Sequence, residues 1–569
     1  MKKRIFMFAM TLLLITPILA ACANDETPTP PAAQEDDGAA ATDDGVAEET
    51  EVSNVNPVGV FPIVNETITL SIFMSTWENF EVVDNEALDW FQDITNINLD
   101  VIWETDGTLR TLLLASGDYP DIFHGDASFT NLEVENYGVR QGIFIELDDL
   151  IEQYSEIVRE HLRTNDEYRI SATASNGRIH GLPRMREEVF SHPMAPSKFW
   201  INTNFLDALG LDMPTTTDEF RTVMLAFLND DPNGNGQQDE IPISGAINTA
   251  RGEPEYFLLN AFTYVDSRHF LRKDDGVVSF VANTEEYREG LRFVNELYEL
   301  GLIDPSAFTQ DLAQLTQLGT SEVEILGSFA ALHPAMAIDI ADQERSSHYA
   351  WLPPLRGPQG AQYAVYGGTA GFYDSVNVVI TDRCQHPEAA MRMIDFMYSE
   401  KVQMHAQGPE GGRWDWVDDP SLLDMYGEPA RIIFHEAYVA DALREGVSDR
   451  FPLALSATLW GRHVADVHGD IFDPMNYEVR LAQATLAYAP FFPAQSILPY
   501  KFDQETAEEL STLMVSIISH VQQATTRFIV GDMCIDNDWD AYIRGLEGLN
   551  VARYVEIHQE GADNLMSLR

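Results

Sequence analysis

The sequence predicts an α/β protein of at least two lobes, and three observations carry that prediction. Its 569 residues exceed what one compact core ordinarily holds. Between residues 68 and 123, strand-like and helix-like segments alternate over short links, the pattern of a parallel sheet covered by helices. A hydrophobic fraction of 45% is that of a globular chain, neither a polytopic membrane protein nor a wholly disordered one.

Residues 68–74 read as a strand by β-branched alternation. Residues 85–94 carry Leu88, Phe91 and Ile94 at helical spacing and lead to a second strand over 98–103. A second helix over 108–116 stops at Gly117, and Pro120-Asp121-Ile122-Phe123 opens a third strand. Ligands of such sheets collect at the carboxyl ends of the strands. That rule points to Trp77 and Glu78 after the first strand and to His124, Gly125 and Asp126 after the third.

The N-terminus predicts a location. Lys2, Lys3 and Arg4 precede an apolar run over 5–19 that is too short to span a bilayer and suits a secretory signal. The run closes on Leu19-Ala20-Ala21-Cys22, which resembles a bacterial lipobox and implies lipidation of Cys22 after removal of 1–21. Residues 22–56 read as a tether: prolines, an Ala run and acids without a basic residue. With 91 acids against 35 basic residues the net charge is −56, a field that repels nucleic acid. Cys384 and Cys534 remain once Cys22 is assigned; with no CxxC they read as small buried side chains, and their pairing stays open.

Several segments then resemble one family. Residues 113–122 (LLASGDYPDI) look like the "ASGDxPDI" segment of bacterial extracellular solute-binding proteins, the receptors of ABC importers. Residues 142–151 (GIFIELDDLI), 177–183 (GRIHGLP), 206–220 (LDALGL…PTTTDEF), 528–532 (FIVGD), 539–542 (WDAY) and 558–560 (HQE) resemble further segments in order; Glu146 stands where the family often has proline. The resemblance implies a periplasmic-binding-protein-like fold of type II, two α/β lobes with hinge segments and a ligand cleft between them. It places lobe 1 at 57–195 and 353–405, and lobe 2 at 196–352 and 406–569. It further implies a lipid-anchored monomer on the outer face of the cell membrane, capturing a carbohydrate for permease subunits. Peptides or other solutes are the alternative cargo within the same fold.

Residues 230–240 (DDPNGNGQQDE) have a chemistry of their own. Oxygen side chains alternate at Asp231, Asn233 and Asn235, Gly236 allows the turn, and Gln237 offers a backbone carbonyl. This is the first half of an EF-hand loop, suited to calcium; Asp239 and Glu240 close it earlier than the 12-residue form does. A structural Ca²⁺ is the expectation, and an Asn/Gly-rich turn with solvated acids the alternative.

A saccharide site needs aromatic plates and polar forks. Trp77, Glu78, Asp126, Arg184, Trp200, Tyr366, Arg413, Trp414 and Trp416 are the candidates, the last three on a Gly-rich stretch. The competing readings are a secreted glycoside hydrolase and a surface adhesin. Acid pairs are too common here to mark a hydrolase, and no HExxH, GxSxG or Walker loop occurs. Only six lysines occur, so cationic charge is nearly all arginine, as suits a salty or alkaline exterior.

Overall fold

The computed structural model describes residues 53–568 except 76–85, 105–107, 186–194, 248, 250, 367–374, 407, 436–461, 466–468, 474–475, 496 and 498–501. The signal, Cys22 and most of the tether therefore lie outside the described residues, as do Trp77 and Glu78.

Three strands start the chain's first sheet: β1 (Ile68–Ser75), β2 (Ile97–Glu104) and β3 (Ile122–Thr130). β1 lies between β2 and β3 and runs parallel to both. Helices Glu86–Thr95 and Leu109–Ser116 make the two crossovers, the second ending on Gly117 in the left-handed conformation (φ +74°). Leu70, Ile72 and Met74 enter one core and Phe73 another, so β1 is buried on both faces, as a parallel strand must be.

The chain then builds a second sheet. β4 (Phe199–Asn202) opens it, a hairpin of β5 (Leu271–Asp274) and β6 (Val277–Phe280) stands apart, and β7 (Ser328–Ala330) and β8 (Tyr349–Leu352) flank β4 antiparallel. Helix Thr217–Asn229 starts on a capping box: the Thr216 side chain accepts from the Glu219 N–H and Glu219 reaches back to Thr216. The C-terminal helices Gln504–Ile529, Trp539–Gly548 and Val551–Leu568 bury Val521, Phe528, Tyr542 and Tyr554 in the core that Phe199, Phe220 and Tyr287 also occupy.

β9 (Ser375–Ile380) returns to the first sheet and pairs antiparallel with β3, giving the order β2-β1-β3-β9. Thr381 fastens its end: the hydroxyl donates to the Pro120 carbonyl at 2.7 Å and the N–H to that of Asp121 at 2.9 Å. The apolar cores separate accordingly. The two largest draw on 63–185 with 378–406 and on 195–364 with 488–562, and a smaller cluster adjoins each. Two cores, each built from discontinuous stretches, make two lobes. A last hairpin, β10 (Trp414–Trp416) and β11 (Ile432–Phe434), leans on the first lobe: the Arg431 guanidinium pairs with Glu400, and Trp414 meets His405 edge-on with ring centroids 5.7 Å apart.

Cys384 is half-buried and Cys534 exposed, and both are free thiols. The expectation of two buried side chains is corrected for Cys534, whose backbone N–H donates to Asp538 at the start of the helix that follows.

Glu255 is a buried acid in the first turn of helix Pro254–Leu259, with Oε2 unpartnered among the described residues. Burial, and then Glu253, push its carboxyl up to about 8. The folded value exceeds the unfolded one, so the group favours folding below about pH 4.3 and loses that advantage as pH rises towards about 8. Glu255→Gln should therefore melt several degrees above the native chain at about pH 8–9 and level with it near about pH 4.5, measured by scanning calorimetry.

Candidate functional site

The carboxyl end of the first sheet is shaped by a bulge. β3 and β9 shift register between His124 and Phe129, and Gly125 at φ +139° takes the backbone through the break. One residue ties the adjoining segments together. Asn377 on β9 accepts the Arg184 N–H at 3.0 Å through Oδ1 and donates to the Gly125 carbonyl at 3.2 Å through Nδ2. Leu182 doubles the tie, donating to the Val378 carbonyl and accepting the Asn377 N–H, both at 2.9 Å. Gly181 allows this approach, since a Cβ there would lie 2.3 Å from Val376 Cγ1.

His124 sits at this junction, 2% exposed, with neither ring nitrogen in a hydrogen bond among the described residues. Burial, and then the Arg184 charge, push the imidazole down to about 3, so it is neutral. The residue just before β4 is also a buried ionisable group. Lys198 donates to the Ala195 carbonyl at 2.6 Å, and burial brings its ammonium down to about 7. His333, hydrogen-bonded through Nδ1 to the Tyr477 hydroxyl at 3.2 Å, is pushed down to about 4 by burial and by Lys198.

The sequence candidates are distributed unevenly over this frame. Arg184 lies at the junction, half-buried, and Asp126 lies on the bulge. Tyr366 is half-buried against Phe492, where the chain leaves the second lobe for β9. Trp200 and Trp414 are not cleft plates, because both are fully buried with their N–H groups satisfied. Trp200 donates to the Ala331 carbonyl at 3.1 Å under the Arg480 guanidinium, and Trp414 to that of Gly408 at 2.8 Å. Arg413 is half-buried, its stem packed on Gly408, while Trp416 is 38% exposed at the hairpin edge. Lys198 and Asn377 were missing from the candidates, whereas the strand-end rule had pointed to His124. A polar side chain inside an apolar run such as 375–380 (SVNVVI) was the available signal.

The acidic loop after helix Thr217–Asn229 folds as a set of turns. Asp231 (φ +49°), Gly234 and Gly236 adopt positive φ. The Asp231 carboxylate accepts the N–H groups of Asn235 and Gly236 at 3.1 and 2.9 Å, and the Asn235 side chain accepts the Gln237 N–H at 2.6 Å. Asp239 accepts the side-chain amides of Asn233 and Asn235 at 3.2 and 3.1 Å. Glu240 is 5% exposed, and neither carboxylate oxygen meets a hydrogen-bond partner among the described residues. Burial raises its pKa, its own N–H and that of Asn233 draw it back, and Asp239 and Asp231 raise it again. A buried, unpartnered carboxylate beside two others is unfavourable without a counter-charge. The donor set therefore fits a hard cation, although the described residues hold no cluster of three or more carboxylate, His or Cys groups.

The profile of the bacterial extracellular solute-binding proteins matches residues 78–404, more than half of the chain. The chain belongs to that family. A fructooligosaccharide ABC transporter substrate-binding protein, FusA of Streptococcus pneumoniae, is 28% identical over 467 residues, 80% of this chain and 82% of FusA. Lipoprotein LipO of Bacillus subtilis is 26% identical over 79% of this chain and 83% of its own. Solved structures of FusA, one with kestose and one of an EF-hand mutant with fructo-nystose, superpose with TM-scores of 0.72 and 0.71 at 24% identity. They cover 88% of this chain and 100% of FusA. The alginate-binding protein AlgQ2, solved without calcium ion, gives 0.64 at 19% identity, covering 88% of this chain and 99% of its own. These likenesses show the two-lobed solute-binding fold.

The two tryptophans separate by role. Trp200→Ala should cost about 3–5 kcal/mol, and Trp416→Ala should stay within about 0.5 kcal/mol, both measured by urea denaturation.

Proposed function

We propose that the protein is a membrane-tethered receptor that captures an oligosaccharide between its lobes and presents it to the permease of an ABC importer. The observation that carries this reading is the division of the chain into two cores, with Asn377 and Leu182 binding the return strand beside the departing segment. Closure of two lobes about the segments that join them is favoured only by contacts the ligand makes better in the closed form. The name of FusA and its match over four-fifths of both chains support a saccharide cargo. The lipobox at Cys22 and the acidic tether support a lipid anchor on the outer face of the membrane, as does the likeness to LipO.

The lobe limits belong to the same proposal: 57–195 with 353–405 for the first lobe, 196–352 with the C-terminal helices for the second. We assign the hairpin at 414–434 to the first lobe, which its contacts with Glu400 and His405 support. Asp126 on the bulge, Arg184 at the junction and Tyr366 at the crossover remain the candidate ligand contacts. Trp77 and Glu78 follow β1 at the same end of the sheet and keep their place among the candidates on sequence grounds.

Asp231, Asn233, Asn235, the Gln237 carbonyl, Asp239 and Glu240 would hold calcium. The ion would supply counter-charge to the buried Glu240 carboxylate and to Asp239 and Asp231, whose charges act on it, and pin the end of helix Thr217–Asn229. Its influence would reach the second sheet through Glu324, whose carbonyl accepts from Asn233 at 3.2 Å and whose carboxylate accepts from Asn202 on β4 at 3.0 Å. The EF-hand named in the FusA structure supports this assignment.

Two measurements test the reading. Calorimetric titration with neutral and acidic oligosaccharides and short peptides should show saccharide binding without turnover; binding of peptides alone would reassign the cargo. Calcium at about a hundred times its Kd should stabilise the chain by about 2.7 kcal/mol, a shift lost with chelator and in Glu240→Gln.

A further inference from the structure

The lobes meet through side chains as well as through the chain that crosses between them. Arg140 is carried by the first lobe, between Val134 and Phe144 of its smaller apolar cluster. The turn before it is fixed, because Gly138 lies so close to His180 that a Cβ would come within 2.8 Å of it. The Arg140 guanidinium donates to Gln504 Oε1 at 3.2 Å. Gln504 opens helix Gln504–Ile529, which buries Ile517, Val521 and Phe528 in the second-lobe core. Glu508, one turn further on, accepts the Gln504 amide N–H at 2.6 Å and so orients its oxygen towards Arg140.

Two packing contacts accompany this bond. Helix Asn131–Val134 of the first lobe lies against helix Gln504–Ile529. Ile170 stands on helix Asp166–Ala172, whose Tyr168 belongs to the first-lobe core, yet Ile170 itself packs against the second-lobe core. The site is beside a crossing: Thr130, which caps helix Asn131–Val134, pairs with Ser375 where β9 begins. The contact is also slight. Arg140 is exposed and Gln504 half-buried, so water can take over both partners when the bond parts. A bond between two bodies that turn on each other favours the angle at which it forms.

We propose that Arg140 and Gln504 form a latch between the lobes, which favours the arrangement described here and thereby tunes the affinity for ligand. The inference rests on the hinged-receptor reading and adds a residue pair that acts through the lobe angle.

A double-mutant cycle on the full chain, Arg140→Ala, Gln504→Ala and both together, tests it. Small-angle X-ray scattering without ligand comes first. Each single variant should change the radius of gyration in the same direction, and the pair no further, with the melting temperature unchanged. Titration with kestose should then show Kd shifted about threefold or more by either substitution. Binding tightens if the latch holds the lobes apart and weakens if it holds them together. A radius of gyration equal to the native value in all three variants overturns the latch, as does a double variant whose effect is the sum of the singles. Kestose affinity unmoved in all three overturns its role in binding. The scattering arm needs no ligand, so the two readings fail separately: kestose that does not bind the native chain counts against the saccharide cargo, and scattering still decides the latch.

Discussion

Asn377 is the constraint on which the two-lobed arrangement depends. It sits in an apolar strand, and its side chain satisfies two backbone groups of other segments, the Arg184 N–H and the Gly125 carbonyl. Those groups belong to the stretch about to leave the first lobe and to the bulge that ends the sheet's regular pairing. A hydrophobic residue there would leave buried backbone polar groups unmatched, at about 1–3 kcal/mol each. With Asn377 in place, departure and return are fixed side by side. Two lobes joined by connecting segments can move as bodies about them, as hinged capture requires.

Buried charge is spent unevenly between the lobes. The first lobe places a neutral imidazole, His124, at the junction, whereas the second buries Lys198 just before β4 with His333 acting under its charge. All three are shifted by burial towards their neutral forms. Elsewhere acids dominate, and arginine forms most ion pairs, many exposed and individually worth little. The acidic loop is the exception: Glu240 is buried there, and the charges of Asp239 and Asp231 oppose its ionisation.

Local pattern made part of this legible. The first three strands and two crossover helices follow from apolar periodicity and Gly117, and the acidic loop from oxygen donors at alternate positions of one short stretch. The segments resembling the solute-binding family also proved structural: Asp121 holds the Ser71 N–H and hydroxyl at 2.7 Å, and the 177–183 stretch packs Gly181 under β9. What escaped depends on distant partners. Trp414 is a candidate plate by its Gly-rich surroundings, yet it is buried on a three-residue strand where it pairs with Phe434. Trp200 carried a legible warning, since 199–202 (FWIN) lacks polar alternation and such strands are covered on both faces. Nothing local announced that 375–380 would pair with β3, more than 240 residues earlier.

The account's central claim is that two separately packed lobes close on a captured saccharide. Small-angle X-ray scattering on the chain, free and saturated with a saccharide that calorimetry shows to bind, tests this most directly. Closure predicts a smaller radius of gyration in the saturated sample, with the melting temperature raised. Saturation without any change in the radius, with affinity intact, would contradict hinged capture and leave a rigid binding surface in its place.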